Sequence, residues 1–120
     1  MKLLESAENY LETILMVREE KGSVRAIDIV NHLGFSKPSV SVAMKQLETN
    51  EYITRDEDGN IFLTAGGEEI ASMIYERHKL LTEIFENMGV PHETARRDAC
   101  KVEHDISEET FECIRKHHNR

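Results

Sequence analysis

Ala26-Ile27-Asp28-Ile29-Val30-Asn31-His32-Leu33-Gly34-Phe35-Ser36-Lys37-Pro38-Ser39-Val40-Ser41-Val42-Ala43-Met44-Lys45-Gln46-Leu47 decides the fold of this 120-residue chain. Ile27, Ile29, Val30 and Leu33 fall at mixed three- and four-residue spacing, the pattern of a short amphipathic helix. Gly34 follows, a residue suited to the left-handed conformation of a helix end. Ser36 then reads as an N-cap, with Pro38 in the first turn, where its missing N–H costs little. The helix it opens carries Val40, Ala43, Met44 and Leu47 on one face and runs to about Asn50. Two helices joined by Gly34-Phe35-Ser36 have the spacing of a helix-turn-helix.

The pattern extends in both directions. Upstream, Leu4, Ala7, Leu11, Ile14 and Leu15 share a face with Tyr10 beside them, predicting a helix that ends at Lys21-Gly22. Downstream, Tyr52-Ile53-Thr54-Arg55 and Ile61-Phe62-Leu63-Thr64 flank Asp56-Glu57-Asp58-Gly59-Asn60, which predicts a hairpin, or wing. Thr64 caps a long helix with Ile70, Ile74, Leu81, Ile84 and Phe85 in register until Gly89. From Pro91 a further helix is expected through Ala95 and Ala99 to about Ile106. Ser107, followed by Glu108 and Glu109, opens a last short helix carrying Phe111 and Ile114, with 116–120 the least structured segment. The fold expected is mainly α, with a winged helix-turn-helix domain over 1–64 and a helical domain over 65–120.

Composition sets the limits. Lys and Arg total 15 against 23 Asp and Glu, a net charge of −8, with 39% hydrophobic residues and no Trp. No apolar run approaches the ~18 residues of a membrane span, and the N-terminus has no signal-peptide pattern, so a cytoplasmic protein is expected. Cys100 and Cys113, without an export signal, read as free thiols or metal ligands; Cys113 is read as a packing residue.

Taken whole, −8 argues against nucleic acid, because a binder supplies cations to phosphates. The distribution argues otherwise. With 7 basic and 11 acidic residues in 1–62, and 8 and 12 in 63–120, each half carries −4, yet no acid occurs from Ile29 to Leu47, where Lys37 and Lys45 lie. A surface that meets DNA cannot carry carboxylates. Ser36, Lys37, Pro38 and Ser39 are then expected to reach bases or phosphates, Ser41, Val42 and Lys45 to line the groove-facing side, and Arg25 to sit near the backbone. Thymine-methyl contacts, water bridges and DNA shape would carry much of the sequence preference.

A second constellation lies further on. Cys100, Glu103 and His104 at i, i+3 and i+4 put a thiolate, a carboxylate and an imidazole, all ligands of first-row metals, on one helical face. His78 interrupts the apolar stripe between Ile74 and Leu81, and helix 1 offers Asn9 and Glu12 on one face. Carboxylates clustered in this way repel one another without a cation, so a metal ion that joins helix 1 to the second domain would act as a switch. The thiolate favours softer ions, Fe(II), Co(II), Ni(II) or Zn(II), over Mn(II), and the oxygen donors of Asn9, Glu12 and Glu103 keep Fe(II) attractive, so Fe(II) is expected first and Mn(II) second. Two other readings stand beside this one: a metal-independent winged-helix regulator in which Glu103 and His104 are a solvated pair, and a small metallohydrolase with Glu103 as base. No phosphate loop or nucleophile elbow is present; no catalytic residue is assigned and no enzyme is expected.

Ala7-Glu8-Asn9-Tyr10-Leu11-Glu12, Leu63-Thr64-Ala65-Gly66-Gly67, Arg77-His78-Lys79-Leu80-Leu81 and Asp98-Ala99-Cys100-Lys101-Val102-Glu103-His104-Asp105-Ile106-Ser107 carry a resemblance. They look like the diphtheria toxin repressor family of metal-dependent transcriptional regulators, which includes iron-dependent repressors and manganese transport regulators. The resemblance implies a homodimer on a palindromic operator in double-stranded DNA, repressing iron or manganese uptake genes when metal binds between helix 1 and the dimerisation helices. It implies Asn9, Glu12, His78, Cys100, Glu103 and His104 as metal ligands. Cys100 matches the iron-type choice, whereas Glu12 matches a manganese-type carboxylate, and Asn9 matches neither branch. Thr82 and Arg96 stand where iron-type members place an ancillary site. No SH3-like domain is expected, and in plan the chain is closer to the manganese regulators.

Overall fold

The computed structural model describes residues 5–119, so Leu4 and Arg120, which enter the readings above, lie outside the described residues. Along the chain come α1 (Glu5–Lys21), α2 (Ala26–Leu33), α3 (Lys37–Thr49), β1 (Ile53–Arg55), β2 (Ile61–Leu63), α4 (Ala65–Asn87), α5 (His92–Val102) and α6 (Glu108–His118). The described residues divide into two compact units, one up to Met73 and the other from Ile74 on, with the division inside α4.

In the first unit α1, α2 and α3 pack around Leu11, Ile14, Leu15, Ile29, Val40, Met44 and Leu47, all buried. Local chemistry sets the helix ends. The Arg25 backbone N–H donates to Asp28 Oδ2 at 2.9 Å, and Gly34, at φ 74°, closes α2 by donating to the Val30 carbonyl at 2.8 Å. Ser36 caps α3 as expected: its hydroxyl accepts the Ser39 N–H at 3.2 Å. Strands β1 and β2 pair antiparallel with Thr54 opposite Phe62, and Ile61 N–H donates to the Val24 carbonyl at 2.8 Å, which ties the wing to the α1–α2 connection. Thr64 caps α4 by accepting from Gly67 N–H at 3.2 Å. Gly67 is required for a steric reason, because a Cβ there would lie 2.0 Å from the Tyr52 carbonyl oxygen.

The second unit is built on Ile74, Leu81, Ala95, Ala99 and Phe111, all buried. Ser107 accepts from Thr110 N–H at 3.0 Å and opens α6, again as expected. Three expectations are corrected here. Helix α5 stops at Val102 rather than near Ile106, because the guanidinium of Arg77 takes the Glu103 and Ile106 carbonyls at 3.1 and 3.0 Å and the chain turns. Residues 116–118 are helical, since α6 continues to His118. Cys113 is exposed, on the face of α6 that lines a groove with Leu81, Phe85 and Ile114, so it is not a packing residue. Among the described residues no helix is long and apolar enough to cross a membrane.

Candidate metal centre and nucleic-acid interface

Metal chemistry starts from the turn after α5. Cys100 stands in the last turn of that helix, Glu103 is its C-cap at φ −58° and ψ −27°, and His104 follows in the turn. The three are therefore not on one continuous helical face, yet one ligand atom from each lies within 4.8 Å of those of the other two. Glu103 is 0% and His104 8% exposed, which excludes the picture of a solvated pair. His104 Nε2 is 3.4 Å from Glu103 Oε1. From α4, His78, also buried, donates from Nδ1 to Glu103 Oε2 at 2.9 Å. An ionised carboxylate only accepts, so in this bond His78 Nδ1 carries the proton.

The donor set fits a metal ion. Bonds of about 2.0–2.3 Å to N, O and S ligands hold donor atoms at most about 4–4.6 Å apart, and the thiolate, carboxylate and imidazole here lie within 4.8 Å of one another, close to that spacing. A carboxylate removed from water is costly unless it is paired or coordinates a metal. Thr82 is buried and donates from Oγ1 to the His78 carbonyl at 2.7 Å, bracing α4 at this point, and Arg96 is exposed. In the first unit Glu12 is 2% exposed, and Asn9, one turn earlier on α1, is half-buried, its carbonyl accepting from Thr13 Oγ1 at 2.8 Å.

The other surface of interest belongs to α3. Ser36, Lys37, Pro38, Ser39, Ser41, Val42 and Lys45 are all exposed, as is Arg25. Val42 is 58% exposed, an apolar side chain in the middle of a polar helix face. With Lys45, Gln46, Thr49 and Asn50 it lines a groove of about 360 Å³. Thr49 and Asn50 extend this face past Glu48, beyond the acid-free stretch that ends at Leu47, and no sequence signal marked them. Arg25 is also engaged within the protein: its Nη2 donates to the Asp58 carbonyl at the tip of the wing. The wing itself is acidic. Asp56 accepts from Asn60 Nδ2 at 3.0 Å and from the N–H groups of Asp58 and Asn60, which hold its carboxyl below its ordinary range. Beside the helix-turn-helix, the Lys21 ammonium, 2.5 Å from Asp28 Oδ1, lowers the Asp28 pKa in the same way.

Arg77 is the residue beside the candidate metal centre that the sequence reading did not single out. A cation three residues after Ile74 and four before Leu81, at the spacing of the apolar stripe, was the available signal.

Comparison with known proteins places this geometry. The family described as "Iron dependent repressor, N-terminal DNA binding domain" matches residues 2–60, and "Iron dependent repressor, metal binding and dimerisation domain" matches 64–120. The chain is 38% identical over 111 residues to the transcriptional regulator MntR of Escherichia coli O6:H1, covering 92% of this chain and 72% of that protein. It is 33% identical over 102 residues to MntR of Bacillus subtilis (strain 168), covering 85% and 72%. The crystal structure of T. acidophilum IdeR shares the fold, with a TM-score of 0.82 at 23% identity over 100% of this chain and 56% of that one. The chain thus spans a little over half of the solved IdeR chain and nearly three quarters of the MntR proteins. On these matches the chain belongs to the iron-dependent, or diphtheria toxin, repressor family of metal-dependent transcriptional regulators.

Proposed function

We propose that this protein is a divalent-metal-activated, DNA-binding repressor of iron or manganese uptake genes, working as a homodimer on a palindromic operator. The observation that carries the reading is the Cys100–Glu103–His104 group, with Glu103 and His104 buried and Cys100 half-buried, braced by His78, in a chain whose α3 presents an acid-free face. Cys100, Glu103, His104 and His78 are proposed as ligands, with Glu12 and Asn9 as those that α1 contributes. When bound, the ion supplies positive charge that offsets the clustered carboxylates. The protein's part is to hold the donors in place: Glu103 orients the His78 ring, and the cap at Ser36 fixes the helix that carries the DNA-facing surface. On α3, Lys37 and Lys45 serve phosphates, while Ser36, Pro38, Ser39, Ser41 and Val42 meet the groove. Arg25 is assigned to the DNA backbone and to the wing together.

The choice of ion has two readings, each with its own support. Kinship with proteins named MntR favours Mn(II), and the Cys100 thiolate, a softer donor, favours Fe(II). Anaerobic mobility-shift assays on promoters of metal-transport genes test both. Affinity rises with Mn(II) or Fe(II), falls with a chelator, and loses this response in His104→Ala. Affinity unchanged by metal in both wild type and His104→Ala sinks the proposal.

A further inference from the structure

We propose that Arg77 is a positioning residue for the metal centre, acting through the backbone of the turn that carries Glu103 and His104. The inference rests on the reading of Cys100, Glu103, His104 and His78 as ligands. Arg77 is 6% exposed, and the acceptors of its Nη1 are two main-chain oxygens, Glu103 O at 3.1 Å and Ile106 O at 3.0 Å. Its guanidinium carbon also lies 5.2 Å from the centroid of the Phe111 ring, itself buried. A buried guanidinium beside a cluster of cation ligands has an electrostatic disadvantage, since it repels the ion those ligands would hold. Geometry accounts for its presence. The last carbonyls of a helix have no intrahelical donor and need one from elsewhere. Here one nitrogen of a planar, fixed fork serves both ends of the 103–106 turn.

The local bonds show what that achieves. Glu103 N–H still donates to the Ala99 carbonyl at 2.9 Å, as in a helix, whereas Asp105 N–H donates to Val102 at 3.0 Å, a tighter turn. The chain therefore leaves the helix between Glu103 and Asp105, and Arg77 holds it there from the neighbouring helix. Were α5 to continue regularly, the Glu103 carbonyl would take the N–H of Ser107, and Ser107 would no longer be free to cap α6. Arg77 precedes His78 on α4, so one turn of that helix supplies both a proposed ligand and the clamp for two others.

Positioning and electrostatics predict opposite signs, and Co(II) titration of the purified protein reads the difference. A thiolate ligand gives Co(II) an intense charge-transfer band, and its d–d bands report the geometry. For Arg77→Met we expect Co(II) affinity to fall by about 10–100-fold, the range for residues that orient ligands, with altered d–d bands. Arg77→Lys, which keeps the charge and loses the fork, falls between. Phe111→Leu loosens the same packing without touching the carbonyls, and is expected to melt at lower temperature with Co(II) affinity within about twofold of wild type. Arg77→Met binding Co(II) as tightly as wild type, or more tightly, with the same bands overturns the inference. So does Phe111→Leu weakening binding as much as Arg77→Met. Where circular dichroism shows apo Arg77→Met unfolded, Arg77→Lys decides by the same readouts. Absence of the thiolate band in wild type counts instead against the ligand assignment, which separates the two failures.

Discussion

The exposed face of α3 and the turn after α5 handle charge in opposite ways. From Lys37 to Leu47 there is no carboxylate, and both cations, Lys37 and Lys45, are exposed. Around Cys100 a carboxylate is wholly buried with two imidazoles beside it. A chain of net charge −8 thus keeps acid off the face proposed to meet a polyanion and gathers a carboxylate with soft donors at the proposed cation site. Net charge averages over the two and describes neither.

The buried side of this contrast should break hardest. Glu103→Ala removes a proposed ligand and the partner of His78 together, so metal affinity should fall by more than the ~10–100-fold attributed to a supporting residue, as measured by competition against a chromophoric chelator. Next comes the exposed side. Val42→Glu puts a carboxylate into the acid-free face at the cost of several kcal/mol of like-charge approach, lowering operator affinity by ~100-fold or more in a shift assay while metal affinity stays unchanged. An unchanged operator affinity would remove α3 from the interface.

The smaller effects test what the two units share. Ser36 and Ser107 cap α3 and α6 with the same hydroxyl-to-N–H bond. Replacing either by Ala should cost about 1 kcal/mol, seen as a lower midpoint in thermal unfolding. The smallest effect concerns Arg18 and Glu68, joined by two hydrogen bonds of 2.7 and 2.6 Å. These bonds to Arg18 hold the Glu68 carboxyl below its ordinary 4.5. The stabilisation is complete above that value and is lost as pH falls through the lower, folded-state value. Both side chains are about 40% exposed, so solvent screening limits it to under about 1 kcal/mol. Unfolding midpoints of wild type and Glu68→Gln should differ slightly at pH 7 and converge in acid.

Much of this organisation is legible in the sequence because it is local. A cap is a bond between residues three apart, as in Ser36 with Ser39 and Ser107 with Thr110, and a wing turn is a short run of Asp, Gly and Asn. Helical periodicity placed Leu11, Ile14, Val40 and Met44 in the core, where they lie. The ligand types of the candidate site were readable for the same reason, as Cys100, Glu103 and His104 fall within one stretch of chain.

Other features were decided between segments far apart. Arg77 meets the Glu103 carbonyl across 26 residues, and that contact ends α5 at Val102. Arg25 reaches Asp58 across 33, so a residue assigned from sequence to the DNA backbone also braces the wing. Gly67 is fixed by the Tyr52 carbonyl that packs against it, and the outward position of Cys113 by which face of α6 the second unit buries. By itself the sequence determined the helices, their caps, the hairpin, the acid-free stretch and the chemical identity of the donors, because each is written in neighbouring residues. Only the tertiary structure decided where α5 stops and which cations are already engaged, because a backbone carbonyl has no residue type of its own and becomes a specific partner only when another segment is folded against it.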